Sequence, residues 1–307
     1  MLSFPMLYSL SWRKWEYTLA RTHAEQGIAL TEPREQRAVA FRYDVVPGVI
    51  CLECAAQALW CLGYPAQALR RSQEARALAQ GLAHPLSLAL TQYWAAFLHH
   101  RRREVRAVQA QAEALVALAT TQGFPLYVGH GTYWRAWARV LQGQGEAGLA
   151  LMHQGLTALL ALGNEAARPR YLGLLAEAAG HVGQVEEGLR LVVDALTAFE
   201  TSGQGDMLTE VYRIQGELLQ RQDIPDRAQA EVCFQQALAL ARRQEAKAWE
   251  LRAAMSLARL WQQQGQRAEA YELLAPIYSW FTEGFDTPDL QEAKALLAAL
   301  EGEHRRG

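Results

Sequence analysis

A short motif recurs about every 40 residues along this chain: a small residue, a larger one four positions on, and a small one three further. It is read at Ala20/Ala24/Gly27, Ala68/Ser72/Ala75, Ala107/Gln111/Ala114, Gly148/Met152/Gly155, Gly188/Val192/Ala195, Ala230/Phe234/Ala237 and Ala270/Leu274/Ile277. Positions spaced by four and three share one side of a helix, so each window is the same helix face met again. Small side chains on that face let the second helix of a pair approach the first helix of its own pair and of the next. Each unit is thus completed by its neighbour. The expected fold is an all-α helical-repeat solenoid, with Gln111 and Ile277 marking where the pattern has drifted.

Composition agrees with this fold. Hydrophobic residues make up 50% of the 307 and charged residues 20%, and β-branched positions are few, which favours helix over strand. A repeat array grows by stacking, so one continuous superhelix is expected in place of separate globular domains. Net charge is -2, from 30 basic and 32 acidic residues, and no global field recruits nucleic acid or an anionic membrane. The only lysines are Lys14, Lys247 and Lys294, and none follows a glycine. That excludes a GxxxxGK[ST] phosphate loop, and nucleotide hydrolysis is not expected.

The apolar start, Met1 to Trp12, is followed by its charges, Arg13 and Lys14, and shows no small-residue cleavage site, unlike a secretory leader. No uncharged apolar run approaches the roughly 20 residues that cross a bilayer. Cys51, Cys54, Cys61 and Cys233 fall inside apolar helical stretches, as reduced thiols do in cytosolic proteins. The expected location is the cytoplasm.

Punctuation orders the repeats. Turns within pairs are expected at Leu62-Gly63-Tyr64-Pro65, Gln142-Gly143-Gln144-Gly145, Val182-Gly183-Gln184, Gln222-Asp223-Ile224-Pro225 and Gln264-Gly265-Gln266. First helices then cover about Val46–Leu62, Leu86–Arg101, Leu126–Gln142, Arg170–Val182, Asp206–Arg221 and Ala246–Gln264. The helix-pair repeats are placed at 43–84, 85–124, 125–167, 168–205, 206–245 and 246–283. Thr287-Pro288-Asp289 opens a capping helix over 287–301, with Thr287 as its N-cap. Residues 1–42 read as an incomplete repeat, since only Phe4 to Trp15 is left for its first helix. That suggests a chain starting inside a longer array, with an apolar end available for self-association.

The glycine turns and the small/large/small signature resemble tetratricopeptide repeats in a degenerate, long-helix form. More specifically, Asp44 to Leu69 (DVVPGVICLECAAQALWCLGYPAQAL), Tyr212 to Leu219 (YRIQGELL) and Ala230 to Leu300, including CFQQALALARRQ, LARLWQQQG and WFTEGFDTPDLQEAKALL, are similar to the C-terminal region of bacterial multidomain signalling proteins. In that family a class III adenylate/guanylate cyclase domain and a STAND-type ATPase precede a tetratricopeptide-like tail. The resemblance implies a right-handed superhelix of about seven helix pairs plus a capping helix, corresponding to the tail alone. The cyclase and ATPase residues have no positions here to be carried to.

Several constellations suggest chemistry. Gly143-Gln144-Gly145-Glu146-Ala147-Gly148 spells GxGxxG, but a dinucleotide site needs a preceding strand and Trp134 to Leu141 is helical, so a turn is expected. Cys51-x-x-Cys54 lies within a helix with no second ligand pair at a metal spacing and reads as buried thiols. His99-His100-Arg101-Arg102-Arg103 reads as the solvated, cationic end of a first helix, with phosphate gripping as its alternative. Glu177 and His181 share a helix face, and without a third ligand they read as an exposed or interface pair.

Aromatic and arginine side chains concentrate on first helices, which line the concave side of a tetratricopeptide-like superhelix. Tyr93, Trp94, His130, Trp134, Trp137, Arg170, Tyr212 and Arg213 are the candidates for a partner groove, the alternative for the aromatics being simple interhelical packing. The expected function is a non-catalytic interaction or regulatory module for a protein or peptide partner, by resemblance a cyclase/ATPase signalling protein. A small-molecule-sensing domain of a STAND-type transcription regulator is the alternative, favoured by one deep pocket over a long groove. No nucleophile, base and orienting group fall together, and neither metal nor cofactor is expected.

Overall fold

The computed structural model describes residues 16–30, 44–202 and 205–304, with side chains to 301. Fourteen α-helices follow one another, and no strand occurs among the described residues. They are α1 (Tyr17–Ala29), α2 (Pro47–Cys61), α3 (Pro65–Gly81), α4 (Pro85–Arg101), α5 (Val105–Gln122), α6 (Pro125–Leu141) and α7 (Gly145–Ala161). After a 3-10 turn at Glu165–Ala167 come α8 (Arg168–His181), α9 (Val185–Ser202), α10 (Leu208–Leu219), α11 (Arg227–Arg243), α12 (Lys247–Gln263), α13 (Arg267–Ser279) and α14 (Pro288–His304). The first helix expected from Phe4 to Trp15 lies outside the described residues.

Local chemistry sets the helix ends. Proline opens α2, α3, α4, α6 and α14, where its missing N–H is not needed and its fixed φ suits the first turn. Gly63 closes α2 at φ 91°, with the Gly63 and Tyr64 N–H groups donating to the Trp60 and Leu59 carbonyls. The α4–α5 turn has the same left-handed residue but no glycine: Arg103 takes it at φ 61°. Thr287 precedes α14, and its hydroxyl donates back to the Gly284 carbonyl at 2.6 Å.

First and second helices differ in burial, as a stacked array requires. α2, α8 and α12 are buried on nearly every side, whereas α3, α5 and α9 bury one stripe. The stripe falls on the expected windows, including Ala68/Ser72/Ala75, Gly148/Met152/Gly155 and Ala230/Phe234/Ala237. In α5 the expectation is corrected by one residue: Val108, Ala112 and Leu115 are buried and Ala107, Gln111 and Ala114 are not. Close approach there is supplied mainly by the facing helix, since a Cβ on Gly131 of α6 would lie 3.1 Å from the Ala112 carbonyl and 2.7 Å from Val116. With the small residue moved to the partner, α5 tolerates Val108 and Leu115 on its stripe.

The array closes on itself. Each first helix packs on the next, α2 on α4 and so on to α12 and the cap α14, and α12 returns to α2. At the seam the Trp60 and Trp249 rings meet edge-on with centroids 4.6 Å apart. Arg252 donates to the Arg101 carbonyl, and the Thr18 hydroxyl donates to Glu245 at 2.6 Å. The Glu283 carboxylate accepts from the N–H groups of Ala66 and Gln67 at 2.9 and 3.0 Å, capping α3 from the far end of the chain. Six first helices therefore form an inner ring, and the second helices lie outside it.

Candidate functional site

The axis of the ring is filled. Arg101 is wholly buried, its guanidinium 4.2 Å from the Phe97 ring centroid, 5.3 Å from Trp60 and 5.7 Å from Trp249. It donates to Gln57 Oε1 at 3.0 Å and lies 3.9 Å from the Asp206 carboxylate. Arg170 donates to the same carboxylate at 2.8–2.9 Å and to the Tyr93 hydroxyl at 2.8 Å. Burial opposes the Arg170 charge, but Asp206 outweighs it and raises the pKa further above the usual arginine value. Each buried charge here has an opposite partner, which is what such burial requires.

His130 extends this cluster. Its Nδ1 lies 2.5 Å from the Tyr171 hydroxyl and its Nε2 3.3 Å from the Asn164 amide nitrogen. Burial, then the Arg170 charge, push its pKa down to about 3, so the imidazole is neutral near pH 7. Trp134 is fully buried against Phe97 and His100, and Trp94 and Tyr212 are half-buried packing groups. The concave side is thus a packed plug, not an open groove of aromatic platforms.

Space remains at one mouth of the ring, where α4, α6, α8 and α10 end. A cavity of about 350 Å³ opens there, walled by side chains from these helices and from α12 and α14. Five arginines (Arg103, Arg213, Arg221, Arg252, Arg259) and five carboxylates (Glu177, Glu210, Glu217, Asp289, Glu292) line it. Helix C-termini favour cations, and Arg221 donates to the Gly180 carbonyl at the end of α8 at 3.2 Å. Arg213 holds Glu210 with two bonds of 2.7 and 2.9 Å and also pairs with Glu217, while Arg252 bridges Asp289 at 2.8 Å and Glu210 at 3.4 Å.

Glu177 projects into the same cavity. It accepts from His100 Nε2 at 3.3 Å and Trp137 Nε1 at 3.4 Å. Burial alone raises its pKa, but the His100 hydrogen bond and charge, followed by Arg213 and Arg252, bring it down to about 2. Glu217 is lowered in the same way, burial being outweighed by Arg213 and the Ser256 hydroxyl. The walls are therefore densely charged, with arginines and carboxylates paired across several helices.

Of the groove candidates, Trp137 and Arg213 line the cavity. Tyr93, His130, Trp134 and Arg170 stand behind it in the plug. The His99–Arg103 run is a correction: His100, Arg101 and Arg102 are buried, Arg102 donating to the Pro65 carbonyl at 2.9 Å, so the run is a hub of the ring and not a solvated helix end. Glu177 turns away from His181 toward His100, and His181 stays exposed on the cavity wall. Cys51 and Cys54 are buried and form no disulfide, the Cys51 thiol pushed up to about 11 by burial. The GxGxxG stretch is the α6–α7 turn and the start of α7. Sequence reasoning passed over Glu292 and read Arg103 only as part of the cationic run; the signal that sets Arg103 apart is a turn without the glycine that the neighbouring repeats carry. Among the described residues no group of three or more His, Cys, Asp or Glu is placed to hold a metal, and no helix is long and apolar enough to cross a membrane.

No family model matches the chain, and no curated protein does. Solved structures are similar in fold. Aspartyl phosphate phosphatase F from Bacillus subtilis aligns with a TM-score of 0.56 at 11% identity, over 90% of this chain and 68% of its own. Yeast Tom70 aligns with a TM-score of 0.54 at 13% identity, over 94% of this chain and 61% of its own. At such identities the likeness establishes the α-solenoid architecture and nothing finer.

Proposed function

We propose that the chain is a non-catalytic binding module that receives a compact charged segment of a protein or peptide partner at the axial cavity. One observation carries the reading: successive inner helices deliver their ends to a single charged cavity while the rest of the axis is plugged. Most arginines and carboxylates of the walls are paired with one another, which supports recognition of charge over acid–base chemistry. The resemblance of the quoted sequence stretches to cyclase–ATPase signalling proteins supports a regulatory tail as the finer role, with such a protein as partner, in the cytoplasm and without a cofactor.

The enclosed size of the cavity favours a second reading, a small-molecule sensor, because about 350 Å³ is within the range that holds one metabolite. Fluorescence anisotropy of labelled acidic, basic and neutral hexapeptides against the full chain separates the two. Saturable binding of one charge class, weakened at least about tenfold by Arg221→Glu on the cavity wall, supports the peptide module. Peptide binding unchanged by Arg221→Glu removes the cavity from the account. Absence of peptide binding, with thermal stabilisation by a small metabolite, moves the function to sensing.

A further inference from the structure

One carboxylate of the cavity is shared by two arginines. Glu292 of the cap α14 extends across the mouth, one carboxylate oxygen 2.7 Å from Arg103 Nη1 and the other 2.9 Å from Arg259 Nη2. Two guanidinium groups from opposite walls, the α4–α5 turn and α12, are thus spaced to share one carboxylate. The side chains of Arg103, Arg259 and Glu292 are 44%, 41% and 39% exposed, so water competes for all three and the pairs exchange readily. By contrast Arg252–Asp289, which also ties α14 to α12, is 7% and 14% exposed and stays closed.

We propose that this pair of arginines is an anion receptor, held in its empty state by Glu292, and that an incoming carboxylate or phosphate displaces Glu292 and loosens the cap from the α4–α5 turn. The inference rests on the cavity reading above and names its ligand chemistry. Carboxylate is already the group that fits, and Arg221, held by the Gly180 carbonyl, is a further guanidinium lining the cavity. Displacement removes one of the two carboxylates by which the cap holds Arg103, leaving Asp289 Oδ1 at 3.3 Å as the other. Binding and cap release are thereby coupled, because the same side chains serve both.

The test is calorimetric titration of the full chain with N-acetylated tripeptides bearing a free C-terminal carboxylate, with their amidated counterparts, and with inorganic phosphate. Glu292→Gln removes the competing charge while keeping a side chain of the same size, and circular dichroism verifies its fold. The expected result is about fivefold or more tighter binding of the free-carboxylate peptide, or of phosphate, to Glu292→Gln than to wild type, with loss on Arg259→Ala in either background. Which probe binds distinguishes a peptide terminus from a phosphate source. In wild type alone, saturating ligand should speed hydrogen exchange of the first turns of α14. Equal or weaker binding to Glu292→Gln, or unaltered α14 exchange at saturation, overturns the displacement and leaves the cavity reading standing. No binding of any probe to either protein, together with no peptide binding in the anisotropy assay, overturns both.

Discussion

His130 shows at the scale of one residue how the plug is constrained. Wedged between Tyr93 and Tyr171 and facing Arg170, it is held neutral, with its pKa lowered to about 3. An unfolded chain binds a proton at this residue near pH 6.5, so between that pH and about 3 the unfolded state carries more protons. The stability contributed by the neutral ring is complete above 6.5 and falls as the pH drops through that window. Glu177, lowered to about 2, adds a loss in the same direction below its unfolded value near 4.5. Chemical denaturation from pH 7 to 4 should show stability falling by on the order of 2 kcal/mol or more, and His130→Asn should flatten that limb. Equal slopes for the two proteins would place His130 in a solvated site. Nothing in the sequence displays this: a histidine on a helix reads alike whether an arginine 40 positions on faces it or water does.

At the scale of elements, periodicity was a sound guide wherever the stripe and its small residues share one helix. In α7, α9 and α11 the windows are the buried faces. It slipped by one in α5, where Gly131 of the facing helix supplies the clearance and the local pattern no longer needs small residues. Several turns were legible through their glycines, and at Arg103, a turn without one, the basic run was misread. Two of these glycines separate turn geometry from ring closure. Gly63 and Gly143 both adopt φ 91°, but a Cβ on Gly63 would lie 2.6 Å from Trp280 and 2.9 Å from Lys247, whereas none of the surroundings comes within 4 Å of one on Gly143. Gly143→Ala should cost about 1 kcal/mol from backbone strain, and Gly63→Ala about 1–3 kcal/mol more from the clash across the seam. Equal costs in urea denaturation would mean that the seam is not packed at Gly63.

At the scale of the whole molecule, a solenoid is usually a string of nearest-neighbour contacts, and its local sequence then carries most of its shape. Closure adds contacts that no local pattern encodes. Arg252 reaches the carbonyl of Arg101, and Glu283 reaches the first turn of α3, each pairing residues far apart in the chain. Those contacts accompany an aromatic-lined concave face that is a buried plug, with a charged cavity open at one mouth. This explains why the residue types of the site were legible while their arrangement was not: Trp137 and Arg213 reach the cavity, and Tyr93, Trp134 and Arg170 lie behind it. The most direct test is hydrogen exchange at Ala66 and Gln67, whose N–H groups donate to Glu283. A closed ring predicts that these two amides are protected in the wild-type protein and exchange at least about tenfold faster in Glu283→Ala, with the first turn of α7 unchanged. Identical exchange in both proteins would contradict closure and return the concave face to solvent.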